Sequence, residues 1–275
     1  DHQRPRMMKI LQVIESLGRG GAEQALVNLL PTLARRGHRC EVAALWPPYH
    51  LAGQLEQVGI VVHRLDVSHR WNIIQGTARL ASLFRRGRYE VVHAHLFYAG
   101  IYTALSRPFV PTPRRVVLFH NMAYNTYPAT TLWRKFRKRL DGWLMRCGMD
   151  GWLAVSPTTA QHYTQHLGVK SITTIPVSVD LSMLRSLVNG GEHPNRLKGY
   201  GVAPEDFTMI FPARFVSEKG HRFLVQALAL LREQGLFPKA LLFGDGPLVP
   251  EVAAEVEQRG LGGQVIMRRA VSNAE

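Results

Sequence analysis

Short apolar runs alternate with longer amphipathic stretches along almost the whole chain, and no other feature of the sequence restricts its fold as tightly. Residues 8–14 (MKILQVI) read as a buried strand. A helix is expected from Ala22 to Arg36, with Leu26, Leu29, Leu30 and Leu33 on one face, stopped by Gly37 and kinked at Pro31. Further strands are predicted at Cys40–Leu45, Val61–Leu65, Val91–Ala94, Val116–Phe119, Trp152–Val155 and Ser171–Ile175. Helices are predicted near Ile74–Arg86, Gly100–Ser106 and Thr131–Arg146. Strands alternating with helices in this way build a parallel sheet covered on both faces. The stretch 181–206 is charged and glycine-rich and reads as an interdomain segment. The pattern then restarts with strands at 208–212, 239–243 and 264–267 and helices at 219–234 and 247–259. The chain is therefore expected to be α/β, with a first domain over 7–180 and a partial second over 207–275. The second carries only half the strands of a doubly wound sheet.

Several function classes drop out on composition. No apolar run reaches the roughly 18–20 residues of a membrane-spanning helix. The opening DHQRPRMMKI lacks the apolar centre of a secretory signal. Met7 or Met8 reads as the natural first residue, so residues 1–6 are left out of the fold. Cys40 and Cys147 are too few and too far apart for a disulfide framework, and a cytoplasmic location is expected. Thirty-four Lys and Arg against twenty Asp and Glu give a net charge of +14, which favours an anionic partner.

Residues able to do chemistry fall where strands should end. In 209–222 (MIFPARFVSEKGHR), Arg214 and Lys219 follow a strand and a glycine opens the next helix. Two cations and the free N–H groups of a helix start suit a diphosphate. Gly18–Glu23 follows the first strand; its glycines admit close backbone approach, although Glu23 stands where a dinucleotide fingerprint needs glycine. His93 and His95 share a strand face, His93 expected in the core and His95 lining a cleft. No third ligand accompanies them, so neither metal nor cofactor is expected. His120 closes another strand. Residues 133–146 (WRKFRKRLDGWLMR) combine five basic residues in six positions with Trp133, Phe136, Leu140, Trp143 and Leu144. Such a segment suits either a surface helix or contact with an anionic membrane. Nucleic acid is disfavoured, since no RNA-binding sheet motif or helix-turn-helix spacing accompanies the charge.

Taken in order, these pieces resemble the retaining nucleotide-sugar glycosyltransferases of the family-four type with GT-B architecture, which has two Rossmann-like domains. GGAE at 20–23, HAH at 93–95, FHN at 119–121, AVSP at 154–157, IPVSVD at 175–180, PARFVSEKG at 212–220 and FGDGP at 243–247 carry the resemblance. Val177 and Ser178 replace the family's Asn-Gly, and Ala213 replaces a glycine. The resemblance implies sugar transfer from a nucleotide-sugar donor to a glycan or lipid-linked acceptor, without metal or cofactor, in polysaccharide or lipopolysaccharide biosynthesis. Arg214 and Lys219 would hold the donor diphosphate and stabilise the leaving group, and His120 would touch the transferred sugar. Gly20, Gly21, Glu23, His95, Asn121, Ser156, Gly244 and Gly246 would line the donor and acceptor sites. The family's second sheet continues into a paired-glutamate motif absent from this sequence, so the donor domain is expected to be C-terminally incomplete. The enzyme would act in the cytoplasm, peripherally on the inner face of the membrane. The competing expectation is a non-catalytic relative that binds an anionic lipid or a partner chain.

Overall fold

A computed structural model describes residues 6–69, 71–126, 131–169, 171–177, 185 and 199–269. The chain divides into two compact units, Asp1–Asp180 and Leu181–Glu275. Ser178–Asp180 of the IPVSVD turn, most of the expected interdomain stretch and residues 270–275 lie outside the described residues.

The first unit is built on seven strands: β1 (Lys9–Ile14), β2 (Arg39–Ala44), β3 (Val61–Arg64), β4 (Val91–His95), β5 (Arg114–Phe119), β6 (Gly151–Ala154) and β7 (Thr173–Thr174). All pair in parallel, in the order β3-β2-β1-β4-β5-β6-β7. The order reverses between β1 and β4, and in such sheets the crevice beyond the strand ends at the reversal is where ligands bind. The helices are α1 (Gly21–Arg35), α2 (Ala52–Gln57), α3 (Ile73–Gly87), α4 (Phe97–Leu105), α5 (Ala123–Thr126), α6 (Leu132–Gly148) and α7 (Pro157–Leu167).

Both faces of the sheet are covered, which is why its strands read as nearly unbroken apolar runs. On one face Leu11, Val13, Val92, Ala94, Val117 and Phe119 pack with Leu80, Phe84, Tyr102, Met145 and Tyr163 from the helices. On the other, Ile14, Val42 and Ala44 meet Leu26 and Leu30 of α1 and Leu55 of α2. Burial of a leucine such as Leu26 or Leu30 contributes about 2 kcal/mol. Helix α1 runs through Pro31 without a break. It ends where Gly37 turns into the left-handed region (φ +88°). There the His38 N–H reaches the Leu33 carbonyl at 3.1 Å, closing the helix end.

The second unit holds β8 (Thr208–Pro212), β9 (Lys239–Phe243) and β10 (Val265–Arg268), parallel in the order β10-β9-β8. Its helices are α8 (His221–Glu233) and α9 (Val249–Gln258). Phe215, Val225, Leu228, Leu242, Val252 and Val256 form its core.

Three expectations change. The helix predicted from 219 begins with a tight 3-10 turn, Ser217–Lys219, and Gly220 (φ +73°) resets the chain before α8. Helix α4 starts at Phe97, before the expected Gly100. The short helices α2 and α5, with 6 and 4 residues, were not anticipated, because one or two turns leave too little periodicity to read.

Candidate functional site

In the first unit the candidate residues gather at the carboxyl ends of β1, β4 and β5. The parallel register places Gln12 of β1 beside His93 of β4, and His95 beside Leu118 of β5. Since alternate residues share a face, Gln12, His93, His95, Leu118 and His120 project on the same side. His95 Nε2 lies 2.8 Å from Gln12 Oε1, and His95 Nδ1 lies 3.2 Å from His120 Nε2. The His93 ring stands 4.3 Å from that of His95.

The roles expected for the strand histidines are reversed. His95, expected to line a cleft, is 2% exposed, and His93, expected in the core, is half-buried. His95 lies between the Gln12 carboxamide and the half-buried His120 ring. Burial lowers the pKa of His120 to about 4. Burial, with the charge of His120 beside it, lowers that of His93 to about 4. Burial and its two histidine neighbours hold His95 well below the ordinary imidazole range. All three rings are therefore neutral at neutral pH. The turn after His95 is strained: Leu96 takes φ 72° and ψ 172°, a region nearly exclusive to glycine.

The GGAE loop opens α1, with Gly20 as its N-cap. Nothing lies within 4 Å of a Cβ built on Gly21. A Cβ on Gly20 would meet Oε2 of Glu23 at 2.3 Å, so the Glu23 carboxylate folds over the loop. The Ser16 hydroxyl donates to Glu23 Oε1 at 3.3 Å. A carboxylate on the helix start already supplies the negative charge that its N–H groups favour. Asn121 is exposed beside His120. Ser156 caps α7, its hydroxyl accepting from the Thr159 N–H at 3.1 Å.

In the second unit Arg214 follows β8, and Lys219 ends the 3-10 turn. Both are exposed, and neither has an ion-pair partner among the described residues. Gly244 and Gly246 support the arginine loop instead of opening onto solvent. A Cβ on Gly244 would stand 2.0 Å from the Ala213 carbonyl oxygen, and one on Gly246 2.4 Å from that of Phe215. This contact lets Ala213 N–H donate to Phe243 O and Phe215 N–H to Asp245 O, each at 2.9 Å. Among the described residues, no three His, Cys, Asp or Glu side chains converge as metal ligands would.

Sequence reasoning missed Gln12. It is 1% exposed and is the one polar side chain in the otherwise apolar end of β1, Ile10–Ile14. That oddity was the available signal, but only the register shows that it meets His95.

The sequence profile described as Glycosyltransferase Family 4 matches residues 19–183, more than half of the chain. A Bacillus subtilis (strain 168) protein named as a glycosyltransferase, EpsF, is 24% identical over 94% of this chain and 67% of its own length. The capsular polysaccharide biosynthesis glycosyltransferase CapH of Staphylococcus aureus is 22% identical over 83% of this chain. The chain spans 59% of the length of CapH. Among solved structures, Anabaena Alr3699/HepE in complex with UDP and glucose superposes with a TM-score of 0.76 at 20% identity, covering 96% of this chain and 70% of that one. The two parallel sheets are those of Rossmann-like GT-B domains, and the profile match joins sequence to fold: the chain belongs to Glycosyltransferase Family 4, a family of transferases.

Proposed function

We propose that the chain forms part of a retaining, metal-independent glycosyltransferase. It would move a sugar from a nucleotide-sugar donor to a glycan or lipid-linked acceptor in polysaccharide synthesis. The observation that carries this reading is that Arg214, in the loop after β8, and Lys219, at the end of the 3-10 turn that follows, are exposed with no ion-pair partner among the described residues. Two such cations match the two negative charges of a diphosphate, and the start of α8 adds to their field. As the sugar–phosphate bond breaks, charge gathers on the leaving nucleoside diphosphate, and fixed cations stabilise it without a metal ion. His120 touches the transferred sugar in this reading. The Gly20–Gly21 loop serves the acceptor, because Glu23 repels a phosphate and accepts hydrogen bonds from hydroxyls. HepE, crystallised with UDP and glucose, and CapH, named for capsular polysaccharide biosynthesis, support the substrate classes.

A panel of nucleotide sugars, each incubated with the chain, tests this by following release of the nucleoside diphosphate. Arg214→Ala or Lys219→Ala should lower the rate by about 10²-fold, the scale of losing one preorganised donor. Product with an inverted anomeric centre, or rates in both variants equal to that of the unaltered chain, would reject the reading.

Helix α6 supports a second element of this reading, attachment to an anionic membrane. Its inward side is held by the Tyr124 hydroxyl, which donates to Asp141 at 3.2 Å, and by Arg137, which stacks on Trp71 at 4.5 Å. Its outward side shows Leu132, Phe136, Leu140 and Trp143, with Leu132 85% exposed, beside exposed Lys135 and Arg139. Apolar side chains among cations suit an interfacial helix on anionic lipid. No helix among the described residues is long and apolar enough to cross a membrane.

A further inference from the structure

We propose that Gln12 and His95 are positioning residues that hold His120 as a neutral hydrogen-bond acceptor for a hydroxyl of the transferred sugar. The proposal rests on the reading that His120 touches that sugar, and it assigns the two buried residues behind it. A carboxamide oxygen only accepts, so the contact between Gln12 Oε1 and His95 Nε2 places the His95 proton on Nε2. His95 Nδ1 then carries a lone pair. The contact from His95 Nδ1 to His120 Nε2 requires the proton on His120 Nε2. Every bond in this chain points one way, and the remaining nitrogen of His120, Nδ1, is left as an acceptor.

Burial keeps the chain from reversing. Gln12 and His95 are 1% and 2% exposed, so water does not compete for their polar atoms. His93 packs against His95, and its buried Nε2 has no hydrogen-bond partner. Adding a proton to His95 would place a cation between the other two rings, away from solvent. With its proton on Nε2, His120 has none to give at Nδ1. It can accept from a hydroxyl, and its direction is set by a second layer of side chains, as in other preorganised sites.

The test uses the chain with nitrogen-labelled histidine. Scalar coupling across the hydrogen bond between His120 Nε2 and His95 Nδ1 is expected, with the proton on His120. Gln12→Leu should abolish it, and Gln12→Glu, which keeps an accepting oxygen, should restore it. His95→Phe provides a second break if Gln12→Leu fails to fold. Affinity for a nucleotide sugar, measured relative to the bare nucleoside diphosphate, should fall about tenfold in Gln12→Leu and recover in Gln12→Glu. A proton found on His95 Nδ1, or no coupling in the unaltered chain, would overturn the relay. Coupling that disappears in Gln12→Leu with no change in relative sugar affinity would overturn its positioning role. If the unaltered chain bound no nucleotide sugar, the donor reading would fall instead, and the coupling would still decide the relay.

Discussion

Gly244 and Gly246 press against the Ala213 and Phe215 carbonyls so closely that a Cβ would stand 2.0 and 2.4 Å from those oxygens. Their part in the proposed donor site would be indirect: they seat the loop that carries Arg214. Gly244→Ala should force the turn off that loop and cost about 1–3 kcal/mol, the usual range for overpacking. Gly21 is the contrasting case, a helical position with nothing within 4 Å of its Cβ direction. Gly21→Ala should stabilise the chain by about 0.5–1 kcal/mol through helix propensity. Urea unfolding of the two variants measures both. Shifts of the same sign and size would show that the close approach in the second unit has no energetic weight. Residues at strand ends were the most legible part of the candidate site: His120, Arg214 and Lys219 follow apolar strands and stand out in sequence. Gln12 was hidden because its meaning depends on a cross-strand neighbour 83 positions away.

At the scale of elements, sequence reading served best for the parallel strands, whose apolar runs follow from burial on both faces. It served less well for α2 and α5, too short to show a period, and for β7, which has only 2 residues. The contact of α6 with α7 makes a pH prediction. The rings of His162 and His166 stack at 4.2 Å, Tyr124 of α5 stacks on His166, and Lys138 of α6 lies near Tyr124. Burial, then the neighbouring charges of His166 and Lys138, lowers the His162 pKa from 6.5 to about 4. His93 and His120 shift from 6.5 to about 4 as well. Between those values the unfolded chain binds protons that the folded chain excludes, so stability falls as pH falls. The contribution is complete above pH 6.5 and should be lost on acidification toward pH 4. Denaturant midpoints recorded across that window test it, and a flat profile would contradict the buried neutral histidines. Helix α6 also carries the membrane prediction. Phe136→Glu with Trp143→Glu should abolish co-sedimentation with phosphatidylserine vesicles, and high salt should weaken binding of the unaltered chain. Equal binding by the double variant would reject attachment through α6.

At the scale of the whole molecule, a net charge of +14 and two parallel sheets describe a protein suited to anionic ligands at its strand ends. The first unit supplies a neutral, histidine-backed surface, and the second an arginine and a lysine without an ion-pair partner among the described residues. Both sheets were foreseeable from the alternation of strands and helices, as was the restart near 208. The neutral chemistry of the histidines was not, because it arises from burial and from contacts among three strands. The central claim is that Arg214 and Lys219 bind a diphosphate without metal, and calorimetric titration of the chain with a panel of nucleoside diphosphates tests it most directly. The account predicts saturable binding of one member of the panel, unchanged by chelator and weakened at least about tenfold in Arg214→Ala and in Lys219→Ala, as expected for losing a charge-assisted hydrogen bond. Binding that vanishes with chelator, or that persists undiminished in both variants, would contradict it.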